Sequence, residues 1–458
     1  MNVKLHSFLS KHFSSELFTE KQVLKMLLPL ILDIFFINGI AMLTTSMVST
    51  SGQDSVAAVS LMSPITTLIV CIINAVAAGG TVVVAQYKGR NNKKQILQAA
   101  GQTITLTIMV AVVLNILIIL MSSYIVNFFF SSVEIVVKEK SIVYLIGVSI
   151  SAIIFSVYSG IFSIFRGIGN TKVCLQLTMI LNISYFLLCF LFVNIFKLDI
   201  LGTVLALNLA RVIGLIVSTF YLFYKKNREL LMKRKYVLQW QPHLIKSIFK
   251  ISLPFSAEQC FFYGGAIIGQ IIIADLGTQV IAANAIATSL FGVISAAPLA
   301  VGNLSVTVIG QCIGAEKREL ARWYGGKFMY LSTFLVLISI FCFWPFRMLF
   351  IQLYKPDLST IPIVMLLLLI GIIPMPFVWS MSNIMPYILR SAGDAVYSSV
   401  ISLITMWIVR VGIGYLLAIT LRMGINGIWI ATSMEWIVRY FLFYYRYRGR
   451  KWLTKNTI

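Results

Sequence analysis

Twelve apolar runs, each long enough to cross a bilayer, leave this chain little choice of architecture. They lie near residues 26–49, 56–84, 97–121, 142–165, 173–195, 200–223, 249–274, 279–311, 326–350, 360–388, 397–420 and 425–446. In lipid every backbone N–H and C=O must be satisfied inside the protein, which restricts spanning segments to helices and closed barrels. Runs of about 20 residues or more suit helices, whereas barrel strands need only about 9–11. Charged residues are 11% of the 458-residue chain, well below the roughly one quarter of a soluble domain. The expected fold is an all-α polytopic membrane protein.

The formal net charge of +22 would suggest a nucleic-acid partner in a soluble protein, but here it follows from loop charge. Cytoplasmic loops of membrane proteins collect Lys and Arg, while acids obey no such rule. Of the 37 Lys and Arg residues, 28 fall on the side shared by both termini and six on the other, with Arg211, Arg410 and Arg439 inside spans. Both termini are therefore expected in the cytoplasm, with the bilayer as the partner and no nucleic acid; the basic, Ile- and Lys-rich composition points to the cell membrane of a bacterium. Residues 1–24 lack a signal-peptide core and carry a ragged apolar stripe (Leu5, Phe8, Leu9, Phe13, Leu17), so an interfacial cytoplasmic segment is expected there. The six cysteines lie singly with no metal spacing, and His6, His12 and His243 lie outside the spans, so no metal, cofactor or histidine relay is expected.

The chain is also written twice. At an offset of 225, Pro29 pairs with Pro254, Asp33 with Glu258, Phe36 with Phe261, Gly39 with Gly264, Gln86 with Gln311 and Gly101 with Gly326. Near the ends of spans four and ten IFRGIGNT pairs with ILRSAGDA at 224, and Gly202 and Ala206 then pair with Gly427 and Ala431 at 225. Each half has six spans, an even number, so both halves enter from the same side. The halves are expected to be parallel repeats related by an axis along the membrane normal, an arrangement that suits alternating access. The corresponding organisation is a 1–24 interfacial segment, a 25–223 N-lobe, a 224–247 cytoplasmic linker, a 248–446 C-lobe and a basic 447–458 tail.

The stretches SGQDSVAAVSLMSPI (51–65), AAGGTVVVAQYKGRNNKKQ (77–95), FSIFRGIGNTK (162–172), LGTQVIAANAIATSL (276–290), VGNLSVTVIGQCIGAEKRELA (301–321) and YILRSAGDA (387–395), in this order and spacing, resemble the multidrug and toxic compound extrusion (MATE) family over essentially the whole chain. The resemblance implies twelve helices in two six-helix lobes around a V-shaped cavity. It also implies efflux of small organic solutes by a monomer, driven by inward proton or sodium flow. The family's usual cation-site acids are missing. Thr44 stands fifteen residues after Pro29, where one branch has an aspartate; Asn182 is kept, but Phe186 replaces an acid one turn later. Phe262 stands eight residues after Pro254, where another branch has a glutamate, and FVWSMSNIMPY in span ten has no acid.

Three acids remain inside spans, Asp33, Glu258 and Glu435, with Asp275 at the outer end of the seventh. Intramembrane carboxyls are expensive and usually functional. Asp33 and Glu258 each follow a helix-kinking proline by one turn (Pro29, Pro254), a place where backbone can deform as protonation changes. They are the leading proton-coupling candidates, against a structural contact near the inner gate; sodium would need further oxygens such as Asn38, Thr44 or Asn182. Glu435 is a further coupling candidate, set against a structural reading, because it precedes Arg439 by four residues, the spacing of an intrahelical ion pair. Arg211 and Arg410 are candidates for holding an anionic substrate group, or for pairing with Asp33 or helix carbonyls. Asn383 is a cavity candidate. Asn383 and Pro386 are expected to mark a broken helix, as are Pro374 and Pro376 deeper in the same span.

No phosphate-cradling GxxxxGK[ST] and no interfacial acid–histidine cluster occurs, which excludes a primary pump and a membrane enzyme. The reading is a secondary antiporter exporting organic solutes or drugs. A lipid-linked saccharide flippase of the wider superfamily and an uncoupled transporter-derived protein are the alternatives.

Overall fold

A computed structural model describes residues 14–48, 53–129, 134–224, 232–233, 235–274, 278–354 and 356–455, with the side chains of 41–48, 53–54, 56–57, 129, 267–268, 270–272, 274 and 278 also left out. Residues 1–13 of the expected interfacial segment, Asp275, the Thr44 side chain, most of the linker's basic run and the last three residues of the tail therefore lie outside the described residues.

The described chain is all-helical. Its long helices are α1 (Glu20–Val48), α2 (Gln53–Gly89), α3 (Lys93–Phe129), α4 (Ile135–Gly167), α5 (Thr171–Cys189, continuing as the π-helical Phe190–Ile195) and α6 (Asp199–Phe223). Then follow α7 (Pro242–Ala274), α8 (Thr278–Gly314), α9 (Arg318–Phe343), α10 (Ile361–Ile372 and Ser380–Ser391, joined through the π-helical Met375–Trp379), α11 (Ala395–Thr405, continuing as Met406–Ile413 and Leu416–Thr420) and α12 (Ile425–Arg448). Among the described residues nine helices are long and apolar enough to cross a membrane, and the bent α10 makes a tenth. The α7 and α12 helices are not among them; in α12 Glu435 and Arg439 lower the apolar character, yet both side chains are buried inside the protein. Large apolar side chains such as Leu120 (76% exposed) and Phe341 (79% exposed) face outward, as lipid-facing surface requires.

The repeat is written into the backbone. Among the described residues left-handed φ values recur in matched pairs: Asn91 (54°) with Glu316 (61°), Lys197 (51°) with Arg422 (56°), Asp199 (53°) with Gly424 (57°), and Gly169 (87°) with Gly393 (91°). The α5 and α11 helices end through the same bonds, Phe196 N to Leu191 O and Leu421 N to Leu416 O (both 2.9 Å), then Leu198 N to Phe192 O and Met423 N to Leu417 O. Each end is covered by its matched glycine. A Cβ on Gly202 would meet Phe192 O at 2.9 Å, and one on Gly427 would meet the Leu417 carbonyl carbon and Ala418 N at 2.8 Å. The next helix can lie this close only where the side chain is a hydrogen.

The chain folds into two compact units that are not simply its two halves. One comprises the residues up to Phe35 and those from Cys260 on; the other comprises Phe36 to Gln259. In the first, Val23, Met26, Leu27 and Leu30 of α1 share a core with Leu304, Val308, Leu367 and Ile388. In the second, the start of α7 packs on α2: Ser252 Oγ donates to Ile248 O (2.7 Å) and reaches Val76 O (3.4 Å), and a Cβ on Gly79 would sit 2.2 Å from that hydroxyl. The linker's helix Lys235–Leu238 is tied to α3, where Gln102 Nε2 donates to Gln239 O (2.5 Å) and Thr105 Oγ1 to Val237 O (2.7 Å).

The α10 span bends by 40° between Ile372 and Met375. Pro374 and Pro376 account for that break, since neither offers a backbone N–H to the preceding turn. The break expected at Asn383 and Pro386 is corrected here: both lie within the continuous helix Ser380–Ser391.

Candidate functional site

The charged centre of the first unit is assembled by α11 and α12. Glu435 is fully buried and takes two guanidinium partners: Arg410 Nε lies 2.5 Å from Oε2, and Arg439 Nη2 lies 2.6 Å from Oε1. Arg439 also donates through Nε to Thr405 Oγ1 (2.8 Å) and through Nη2 to Ser402 O (2.9 Å). One carboxylate between two guanidiniums leaves a surplus of one positive charge. The Glu435–Arg439 ion pair follows from the i,i+4 spacing. The partner expected for Arg410, Asp33 or helix carbonyls, is corrected to Glu435; the sequence does not give the rotation of α11 against α12. That rotation is set partly by the π-helical stretch Met406–Ile413 that carries Arg410, a geometry that recurs at functional sites.

Beside this triad lies a cavity of about 390 Å³ whose lining includes Arg410, Asn383, Asn284, Trp379, Trp429 and Trp436. Phe291, also at the wall, stacks on Trp436 (centroids 5.4 Å apart) and meets Trp429 edge-on (6.1 Å). Two polar groups at the wall are held in place: Trp429 Nε1 donates to Asn284 Oδ1 (3.0 Å), and Asn383 Nδ2 donates to Trp379 O (3.0 Å). Apolar and aromatic walls with a few fixed polar groups are the usual makings of a small-molecule site. Arg410 is 23% exposed at its side chain, with its guanidinium carbon 5.4 Å from the centre of the Phe262 ring. No sequence signal singled out Phe291, Trp379, Trp429, Trp436 or Asn284.

The second unit holds its candidates apart. Arg211 is buried, with its guanidinium 4.7 Å above the Phe155 ring and no ion pair among the described residues. Asn182 donates to Thr178 O of its own helix (2.9 Å). At the non-terminal side, Lys140 Nζ meets Asp199 Oδ2 (2.9 Å), which also accepts from Ser55 Oγ (2.6 Å); sequence reasoning did not pick out this cluster.

Pro29 and Pro254 lie inside continuous helices. Asp33, one turn after Pro29, is 3% exposed, while Glu258 is half-buried. Asn38, five residues further along α1, is exposed where Asp33 is buried. Among the described residues no cluster of three or more His, Cys, Asp or Glu could hold a metal ion.

Comparison with known proteins gives a consistent picture. A family model described as MatE matches residues 29–195 and 254–416. An uncharacterized transporter, YisQ of Bacillus subtilis (strain 168), is 25% identical over 417 residues, 90% of each chain. A probable multidrug resistance protein, NorM of Neisseria meningitidis serogroup B, is 27% identical over 190 residues, 41% of each chain. Among solved structures, an outward-facing multidrug resistance MATE transporter of the MOP superfamily matches with a TM-score of 0.82 at 17% identity, covering 94% of this chain and 96% of the other. A MOP superfamily transporter from Pyrococcus furiosus, described as having a binding pocket of reverse polarity that suggests a different function, matches with a TM-score of 0.83 at 17% identity, covering 95% and 97%. At these identities the likeness is one of fold.

Proposed function

The chain belongs to the MatE family, a family of membrane transporters and not of enzymes, and on that premise we propose that it exports small organic solutes from bacterial cells against a cation gradient. The observation that carries this reading is the backbone repeat. Matched left-handed turns and matched helix ends make two equivalent six-helix halves, which is the construction alternating access uses. A single chain in the cell membrane would suffice, with both termini in the cytoplasm as the loop charges require.

Proton coupling is favoured over sodium coupling. Asp33 and Glu258 occupy matched positions one turn after matched prolines, and a carboxyl that is neutral when shielded and ionised when wet can carry a proton by itself. Sodium needs several oxygen ligands together, and Asn38 is exposed where Asp33 is buried. The test is transport by purified protein in proteoliposomes with a proton or a sodium gradient imposed separately. Stimulation of solute movement by the proton gradient alone is expected; stimulation by sodium alone would reassign the coupling ion, and by neither would remove the antiport reading.

The flippase reading draws on Arg410 at the cavity wall. The cavity's volume of about 390 Å³ suits a drug-sized solute better than a polyprenyl-linked oligosaccharide, and the exporter reading is retained.

A further inference from the structure

We propose that the cavity beside Arg410 in the first unit is selective for organic anions, taking a flat aromatic acid with its carboxylate on Arg410. This names the substrate class for the exporter reading above and rests on it only for the direction and energy of transport.

Three features of the cavity lead there. Arg410 is the only charged residue at the wall among the described residues. Its Nε is engaged by Glu435, but no hydrogen bond among the described residues reaches its Nη groups, and the side chain remains partly open to the cavity. A guanidinium at the cavity wall whose Nη groups are not taken by Glu435 offers parallel N–H donors, one on each Nη, in a fixed fork that matches a carboxylate. The charge behind them does not cancel: Glu435 is shared with Arg439, so the triad presents a net positive charge. An organic cation entering here would meet repulsion and a wall without acids; an anion would complete the second half of the guanidinium. The rest of the wall suits a ring system. Phe291, Trp379, Trp429 and Trp436 supply flat apolar surface, and Phe262 holds Arg410 from the side by a cation–π contact. An acid in place of Phe262, beside Arg410, would have cancelled this surplus charge.

The test is equilibrium binding to the full-length protein in detergent, by titration calorimetry, of three probes with one ring system: naphthoate, naphthamide and naphthylmethylammonium. Naphthoate is expected to bind best and the ammonium worst. Arg410→Gln should weaken naphthoate by roughly tenfold to a hundredfold, the loss of a charged hydrogen bond, with little change for naphthamide. Glu435→Gln should strengthen naphthoate several-fold, because it removes the negative charge behind the fork. A purely structural role for the pair would make both variants weaken every probe alike. Equal or tighter binding of the ammonium, or binding of none of the three by folded wild-type protein, overturns the proposal. Should Glu435→Gln not fold, the probe series and Arg410→Gln still decide it. Naphthoate binding without gradient-driven counterflow in proteoliposomes would keep the anion site and discard the exporter; gradient-driven export of cations with no naphthoate binding would do the reverse.

Discussion

Glu435 shows how unevenly a buried charge network shares its energy. Removing one partner from a buried ion pair strands the other, at about 3–5 kcal/mol. Glu435→Ala takes the carboxylate from Arg439, a buried side chain that also donates to Thr405 and the Ser402 carbonyl, so a loss of that size is expected. Arg410→Gln leaves the Glu435–Arg439 pair intact and should cost clearly less. The thermal unfolding midpoints of the two variants in detergent give the order, and the reverse order would mean that Arg410 is the principal counter-charge. The two proline-following acids have a different role, and Asp33→Asn and Glu258→Gln are expected to impair proton-driven export while leaving the amount of membrane-inserted protein near normal. Asp33→Asn should be the more severe, since Asp33 is buried and Glu258 only half-buried. Undiminished export by both variants would end their assignment as proton carriers. At this scale the sequence was informative wherever the information was local. The i,i+4 spacing is enough to pair Glu435 with Arg439, but the 25-residue separation from Arg410 passes through a helix end, a turn and a π-helical stretch, none of which a hydropathy pattern encodes.

Helices and their ends were legible to different degrees. Long apolar runs declare spans because lipid leaves no alternative, and each of the expected spans coincides, over its described residues, with a helix or a run of joined helical segments. The π-helical turns in α5, α10 and α11 were invisible, since they differ from α-helix by one hydrogen-bond step and carry no composition of their own. The helix ends at Gly169 and Gly393 were legible as a repeated glycine, and the backbone explains it: φ values of 87° and 91° are costly for any residue with a Cβ. Gly169→Ala and Gly393→Ala should each destabilise by about 1–2 kcal/mol, by similar amounts because the turns are equivalent, as read from unfolding midpoints. The matched Gly101 and Gly326 differ in what they face. A Cβ on Gly101 would meet the backbone oxygen of Tyr236 at 2.0 Å, whereas one on Gly326 would only touch the Tyr447 hydroxyl at 3.4 Å. Gly101→Val should therefore push the Lys235–Leu238 helix off α3 and speed tryptic cleavage after Lys235 several-fold, while Gly326→Val should leave that cleavage unchanged. Equal cleavage in the two variants would show that Gly101 does not seat the linker.

At the scale of the whole molecule, duplication of the sequence and division into packing units do not coincide. The repeat offset separates two six-helix halves that join in the linker, yet the compact units divide α1 between Phe35 and Phe36 and α7 between Gln259 and Cys260. Each unit therefore contains residues from both sides of the linker. Val23, Met26, Leu27 and Leu30 belong to a core otherwise built from the C-terminal half, and Ile248 and Ser252 belong to a unit otherwise built from the N-terminal half. Periodicity alone could not reveal this, because the matched Pro29 and Pro254 stretches look alike whichever unit their side chains enter. The physical consequence is mutual dependence. A fragment ending in the linker would expose the apolar face of the start of α1 and lack the start of α7 that covers Gly79; its complement would lack the α1 side chains that close its core. Residues 1–233 and 234–458 expressed separately should be degraded or aggregate in the membrane, whereas co-expressed they should assemble and copurify through a tag on either one. Recovery of either fragment alone as a monodisperse, protease-resistant species would show that the α1 and α7 segments are dispensable packing, and that the halves fold along the repeat boundary.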